Sequence, residues 1–157
     1  MPKTELSIDK LREFKTMLTD ALKNSQHRMA ELVEFIERAD RTEQPIDEQY
    51  VVQRLEANVW KTMFRWDKET NQLHFGIDSH FDAELTDVPV FSKDRAERYA
   101  AGLKRDSEKN GEPRVYQVIS VRELQQNRID EADEGRKALM KTLGNINGQI
   151  AMAEEGK

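Results

Sequence analysis

Heptad spacing runs through both ends of this 157-residue chain. Ile8, Leu11, Leu18, Leu22, Met29, Leu32, Ile36 and Ala39 fall on alternating three- and four-residue steps, as do Ile129, Ala132, Leu139, Leu143, Ile146, Ile150 and Ala153. An apolar stripe repeating every 3.5 residues must face a partner helix, so each end reads as half of a coiled-coil-like pair. The pattern predicts helices over 7–40 and 122–155, each roughly 50 Å long at ~1.5 Å of rise per residue. Their matched length fits an intramolecular antiparallel stem or an oligomeric bundle, with a small head domain over 46–121 inserted between the arms. A homo-oligomer is expected through this seam, and whether the arms pair within or between chains stays open at this level.

The first helix starts credibly, with Ser7 placed to cap free N–H groups and Asp9 in the positive first turn. Lys15 and Ser25 interrupt its seam, while Phe14, Ala21 and Phe35 widen it on one flank, enough to touch two neighbours. A polar linker, Arg41-Thr42-Glu43-Gln44-Pro45, ends the helix near Asp40. From Ile46 to Asn58 the pattern fits a short helix slightly better than a strand. Val59–Trp66 and Gln72–Ile77 then read as two aromatic-rich strands joined by a polar turn, with both tryptophans in the head's densest core. After a loop, Ser92 caps a helix with Ala96, Tyr99, Ala100 and Leu103 on its buried face, ending near Asn110-Gly111. Val115–Val121 is a third strand, so the fold class is α+β, a ββαβ head flanked by two long terminal helices.

Charged residues make up 35% of the chain and net charge is −5, with the two signs interspersed, which suits long helices with solvated outer faces. There is neither the basic excess of a typical nucleic-acid binder nor the dense acid of a DNA mimic. The absence of cysteine excludes disulfides, thiolate metal sites and thiol nucleophiles. No apolar run is long enough to span a membrane, and Met1-Pro2-Lys3-Thr4-Glu5 does not open a signal peptide, so a cytoplasmic location with no membrane partner is expected.

Candidate chemistry is sparse. If Leu73–Asp82 is extended, His74, Asp78, His80 and Asp82 share one face with Gly76, and imidazole with carboxylate suits zinc or manganese. Alternate residues lie ~6.5–7 Å apart, so one ion could take an adjacent pair only, with Glu84 or Asp87 completing the set. An ordinary polar strand face is the expectation, and no metal or other cofactor is expected. Asp78-Ser79-His80 has the residue types of a nucleophilic triad, but neighbours in an extended segment point to opposite faces. None of the seven glycines sits in a phosphate-binding loop. Gly144 and Gly148 are spaced G-x-x-x-G, which leaves a helix surface open to close approach of another backbone, or else marks fraying of the last turns. Arg95, Arg98 and Arg105 lie on the head helix among further lysines and arginines, and interleaved acids reduce that region to a net +2. A solvated, salt-bridged face is the expectation there, with phosphate or nucleic-acid contact as the alternative.

The stretch Val90-Phe91-Ser92-Lys93-Asp94-Arg95-Ala96-Glu97 through Val115-Tyr116-Gln117-Val118-Ile119 resembles a strand–helix–strand module of small, uncharacterised bacteriophage and mobile-element proteins. The likeness covers about 30 residues, mostly cap and core, and implies a phage-type origin without carrying over a catalytic position. Together these features predict a non-catalytic, oligomeric macromolecule-binding protein, in concrete form a phage accessory or anti-defence factor that binds and inhibits a host protein. The alternatives are a nucleic-acid-binding oligomer using the basic head helix and a metal-dependent enzyme using the 74–82 face.

Overall fold

The structure, a computed structural model, describes residues 7–39, 46–67 and 72–156. Its elements run α1 (Ile8–Ala39), β1 (Tyr50–Glu56), β2 (Val59–Asp67), β3 (Gln72–Gly76), α2 (Lys93–Lys109), β4 (Tyr116–Ser120) and α3 (Val121–Glu155), with 3-10 turns at Ile46–Glu48 and Asp78–His80. The fold is mixed: long helices at both ends and one four-stranded antiparallel sheet of order β3-β2-β1-β4. The polar linker at 41–45 and the turn at 68–71 lie outside the described residues.

Two compact units emerge. The described residues up to Ala30 cluster with those from Ile129 onward, and Glu31–Arg128 forms the other unit. In the first, Ser7 caps α1, its hydroxyl accepting from the Lys10 N–H at 3.3 Å. Arg12 Nη2 donates to Glu154 Oε1 at 3.0 Å and Ser25 Oγ to the Ala132 carbonyl at 3.3 Å, contacts that run in opposite directions along the two helices. The arms therefore meet antiparallel within one chain. Every seam residue of α1 and α3 is buried or half-buried. Ser25, a seam interruption, is the residue that reaches across to the other arm, whereas Lys15 is exposed.

In the second unit the segment 46–58 corrects the sequence reading: Tyr50–Glu56 is a strand, and it is central, pairing with β2 on one side and β4 on the other. The head is βββαβ, not ββαβ. Its helical appearance has a physical cause. Val51 and Val52 are both fully buried because the sheet is covered on both faces, so the two-residue alternation that betrays a half-buried strand is erased. One face carries Val52, Met63, Ala96 and Ala100, the two alanines letting α2 lie close to the strands. The other carries Val51, Phe64, Phe81, Leu85, Ile119 and Leu124, closed by Phe35, Ile36 and Ala39 at the end of α1. Trp60 is only half-buried, and the Trp66 side chain lies outside the described residues.

The β1–β2 connection is a two-residue turn, Ala57-Asn58, flanked by the pair Glu56 and Val59. Both turn residues have positive φ, 50° and 64°, the geometry whose twist matches a hairpin and which asparagine and glycine adopt most readily. Alanine is strained there. Ala57→Asn is therefore expected to raise unfolding free energy by roughly 0.5–1 kcal/mol, read as a higher urea midpoint at unchanged slope.

On α2 the sequence reading holds for the caps and for Ala96 and Ala100, which are buried, and Leu103 is half-buried, whereas Tyr99, expected on the buried face, is exposed and stacks on Phe91. Ser92 Oγ accepts from the Arg95 N–H, and the helix stops at Asn110 with Gly111 at φ 76°, where a side chain would be strained. The buried Ser107 hydroxyl donates to the Lys104 carbonyl at 2.7 Å and accepts from the Arg114 N–H at 3.1 Å, tying the exit of α2 to the approach to β4.

Candidate functional site

Of the four candidate metal ligands, His74 lies on β3, and Asp78, His80 and Asp82 lie on the loop that follows it. β3 ends at Gly76, and Asp78–His80 is a 3-10 turn, so the extended face assumed for 73–82 is broken after its first member. His74 packs against the Phe64 ring, with centroids 6.1 Å apart. Asp78 accepts from Arg128 Nε. His80 is exposed, and its Nδ1 accepts from the Ile77 N–H at 3.2 Å. Asp82 accepts from the Thr86 N–H at 2.9 Å and from the Thr86 hydroxyl at 2.5 Å. Asp78, His80 and Asp82 are engaged in building the loop, and among the described residues no group of three or more His, Asp or Glu side chains is arranged to hold a metal ion.

What organises this loop is a residue the sequence did not single out. Arg128, with its side chain 4% exposed, projects from α3 and places all five of its N–H donors. Nε serves Asp78, Nη1 serves the Gln125 Oε1 at 2.8 Å and the Ala83 carbonyl at 3.4 Å, and Nη2 serves the carbonyls of Phe81 at 3.3 Å and Asp82 at 2.9 Å. Gln125, fully buried one turn earlier, donates Nε2 to the same Ala83 carbonyl at 2.8 Å. The loop carbonyls that a buried coil would otherwise leave unpaired thus find partners on one helix. Between them Phe81, Ala83, Leu85 and Val88 turn inward, and Leu85 is held at φ 56° to do so. An arginine followed by charged neighbours on an amphipathic helix looks like any solvated cation, so only the fold exposes this role.

The Thr86 hydroxyl is the main reason that the Asp82 carboxyl is held below its ordinary range, helped by the Thr86 and Leu85 N–H groups and the Arg128 charge and opposed by partial desolvation. A carboxylate whose pKa is depressed in the folded state contributes stability above its unfolded value and loses it as pH falls. Thr86→Val is accordingly expected to lower stability near neutrality and to flatten its decline below about pH 4, so that urea midpoints of the two proteins differ most at neutral pH and converge down an acid series.

Arg95, Arg98 and Arg105 remain exposed on α2. Arg98 and Arg105 share a shallow depression of about 460 Å³ with Ala101, Lys104 and Glu108, while Arg98 Nε donates to the Asp94 carbonyl at 3.4 Å. Arg95 is not among the residues of that depression.

A different surface lies at the hairpin end of the sheet. Val59 is 48% exposed, Ile77 40% and Val115 56%; Val115 shares its face with the half-buried Leu55 and Trp60, and Val59 lies on the opposite face. Leu55 pairs with Trp60 across β1–β2, and its N–H donates to the Val115 carbonyl at 2.9 Å. Next to this apolar end, Glu56 accepts from Lys61 at 2.9 Å and from Arg54, with Arg114 at 3.8 Å. The Lys61 bond chiefly keeps the Glu56 carboxyl below its usual range, against partial desolvation. Arg54 also lies over the Phe75 ring, 4.1 Å from its centroid.

The chain matches no family model, no curated protein and no solved structure. Its own geometry is what speaks for its function. Among the described residues no helix is long and apolar enough to cross a membrane.

Proposed function

We propose that this chain is a non-catalytic protein-binding factor, an oligomer whose arms pair as a coiled-coil stem and whose head carries the binding surface. The apolar end of the sheet carries this reading: Val115 stands exposed on the face of the half-buried Leu55–Trp60 pair, Val59 is exposed on the opposite face beside the charged Glu56 cluster, and Ile77 is exposed just past β3. Apolar side chains grouped at one end and rimmed by charge are the composition of a protein contact. The resemblance of residues 90–119 to a phage module supports the concrete form, a cytoplasmic accessory or anti-defence factor that occupies and inhibits a host protein. Affinity capture from host lysate tests it, comparing the wild type with Val59→Asp/Val115→Asp. A partner retained by the first and lost by the second supports the reading. Capture of nothing, or equal capture by both, overturns it.

A second reading rests on α2, where Arg98, Lys104 and Arg105 gather about one depression. Nucleic-acid binding there predicts an affinity that falls steeply between low and moderate salt and is weakened by Arg98→Ala/Arg105→Ala. Flat or absent binding to duplex and single strands removes it.

A further inference from the structure

The intrachain pairing of the arms turns one face of each outward, and on α3 that face is unlike a solvated helix surface. From Thr142 to Ala153 there are twelve consecutive residues without a charge, in a chain where 35% of residues are charged and about four would be expected. The seam residues Leu139, Leu143, Ile146 and Ile150 are half-buried. Diametrically across the helix at 100° per residue, Gly144 and Gly148 lie on the outer side, where an added Cβ would meet nothing within 4 Å. The helix continues through them to Glu155, so they do not mark fraying. Met140 and Met152 flank them, 49% and 74% exposed.

We propose that this outer face of α3 docks a second copy of the chain, antiparallel and two-fold symmetric about the level of Ile146. Its charge pattern is complementary to itself in that register. Lys137 falls level with Glu155 of the other copy, Gly144 with Gly148, and Met140 with Met152, so a cation meets an anion at each end, and an uncharged, close-packed centre from Thr142 to Ile150 lies inside Lys141, which falls level with Ala151. A two-fold contact uses the same patch twice, and this spacing is what such a patch requires. The glycines let the two backbones approach while the methionine side chains fill the flanks. Lys137 is 68% exposed and holds Asp133 at 3.1 Å, an exposed pair one turn away that leaves it on the same outer face. The inference deepens the oligomeric part of the proposed function, assigning it to this face instead of the seam.

Sedimentation equilibrium of the full chain tests both. The expected mass is twice the 18.3 kDa of one chain. Gly144→Leu/Gly148→Leu is expected to give a monomer with unchanged or greater helicity, since the added side chains enter open space and leucine favours the helix over glycine. Lys137→Glu and Glu155→Lys singly are each expected to weaken dimerisation roughly tenfold through two symmetry-related contacts, and the double swap to restore it. A dimer indifferent to the leucines and to the swap overturns this face and leaves an oligomer formed elsewhere. A wild type monomeric at about 100 µM overturns this face and, with it, the oligomeric part of the proposed function.

Discussion

Replacing Arg128 with Met lowers the unfolding free energy by about 3–5 kcal/mol, the sum expected when several buried acceptors lose their donors at about 1–3 kcal/mol each and part of that loss is recovered by relaxation. The side chain is nearly the same length and the apolar stem survives, so the loss is one of hydrogen bonding and not of volume. It strands the buried Gln125 Oε1 and removes donors from the carbonyls of Phe81, Asp82 and Ala83, each of which carries a desolvation cost once unpaired. Arg128→Lys is expected to recover little of this, because three donors on a single nitrogen cannot span the positions that a planar guanidinium serves. Asp78→Asn, by contrast, costs about 1 kcal/mol, since Asp78 is 43% exposed and its place can be taken by water. Denaturant unfolding of the three variants checks the ordering. A loop anchored mainly by its inward apolar residues would instead show Arg128→Met near neutrality in stability.

Gly76→Ala, a change of one methyl group, is expected to cost about 1–3 kcal/mol by overpacking. The new Cβ would stand 2.8 Å from Phe64 Cε1 and from His80 Nδ1, and 3.2 Å from Phe81 Cζ. None of the three can retreat freely. Phe64 and Phe81 are buried and meet edge to face with centroids 5.2 Å apart, and the His80 nitrogen is held by the Ile77 N–H. In a His80→Ala background the penalty shrinks, because one of the two closest contacts is gone, and a double-mutant cycle measures the difference. The same substitution at Gly144 meets only solvent within the chain and stabilises the isolated helix, so the two glycines separate a packing requirement from an open surface.

The contrast between His80 and its sequence reading shows how the 74–82 segment misleads. Alternation along a strand places His74, Asp78, His80 and Asp82 side by side only if the backbone stays extended. β3 ends at Gly76, where a side chain cannot fit, and the chain then coils and brings Phe81 against Phe64. Those are packing facts of the folded hairpin and its loop, and the residue types along the segment do not announce them. Arg128 was equally hidden, its role set by carbonyls 45 to 47 positions away.

Local physics settled the rest. The seven-residue apolar repeat dictates two long helices because only a helix gathers such positions onto one stripe, and α1 and α3 are those helices. Ser92, Asn110 and Gly111 bound α2 because capping is decided within a few residues. The β2 and β3 strands follow from their aromatic and β-branched composition. Tertiary structure alone decided that β1 is a strand, since burial on both faces removes the alternation that would reveal it, and that the arms meet within one chain, since an apolar stripe specifies a partner helix without specifying whose it is.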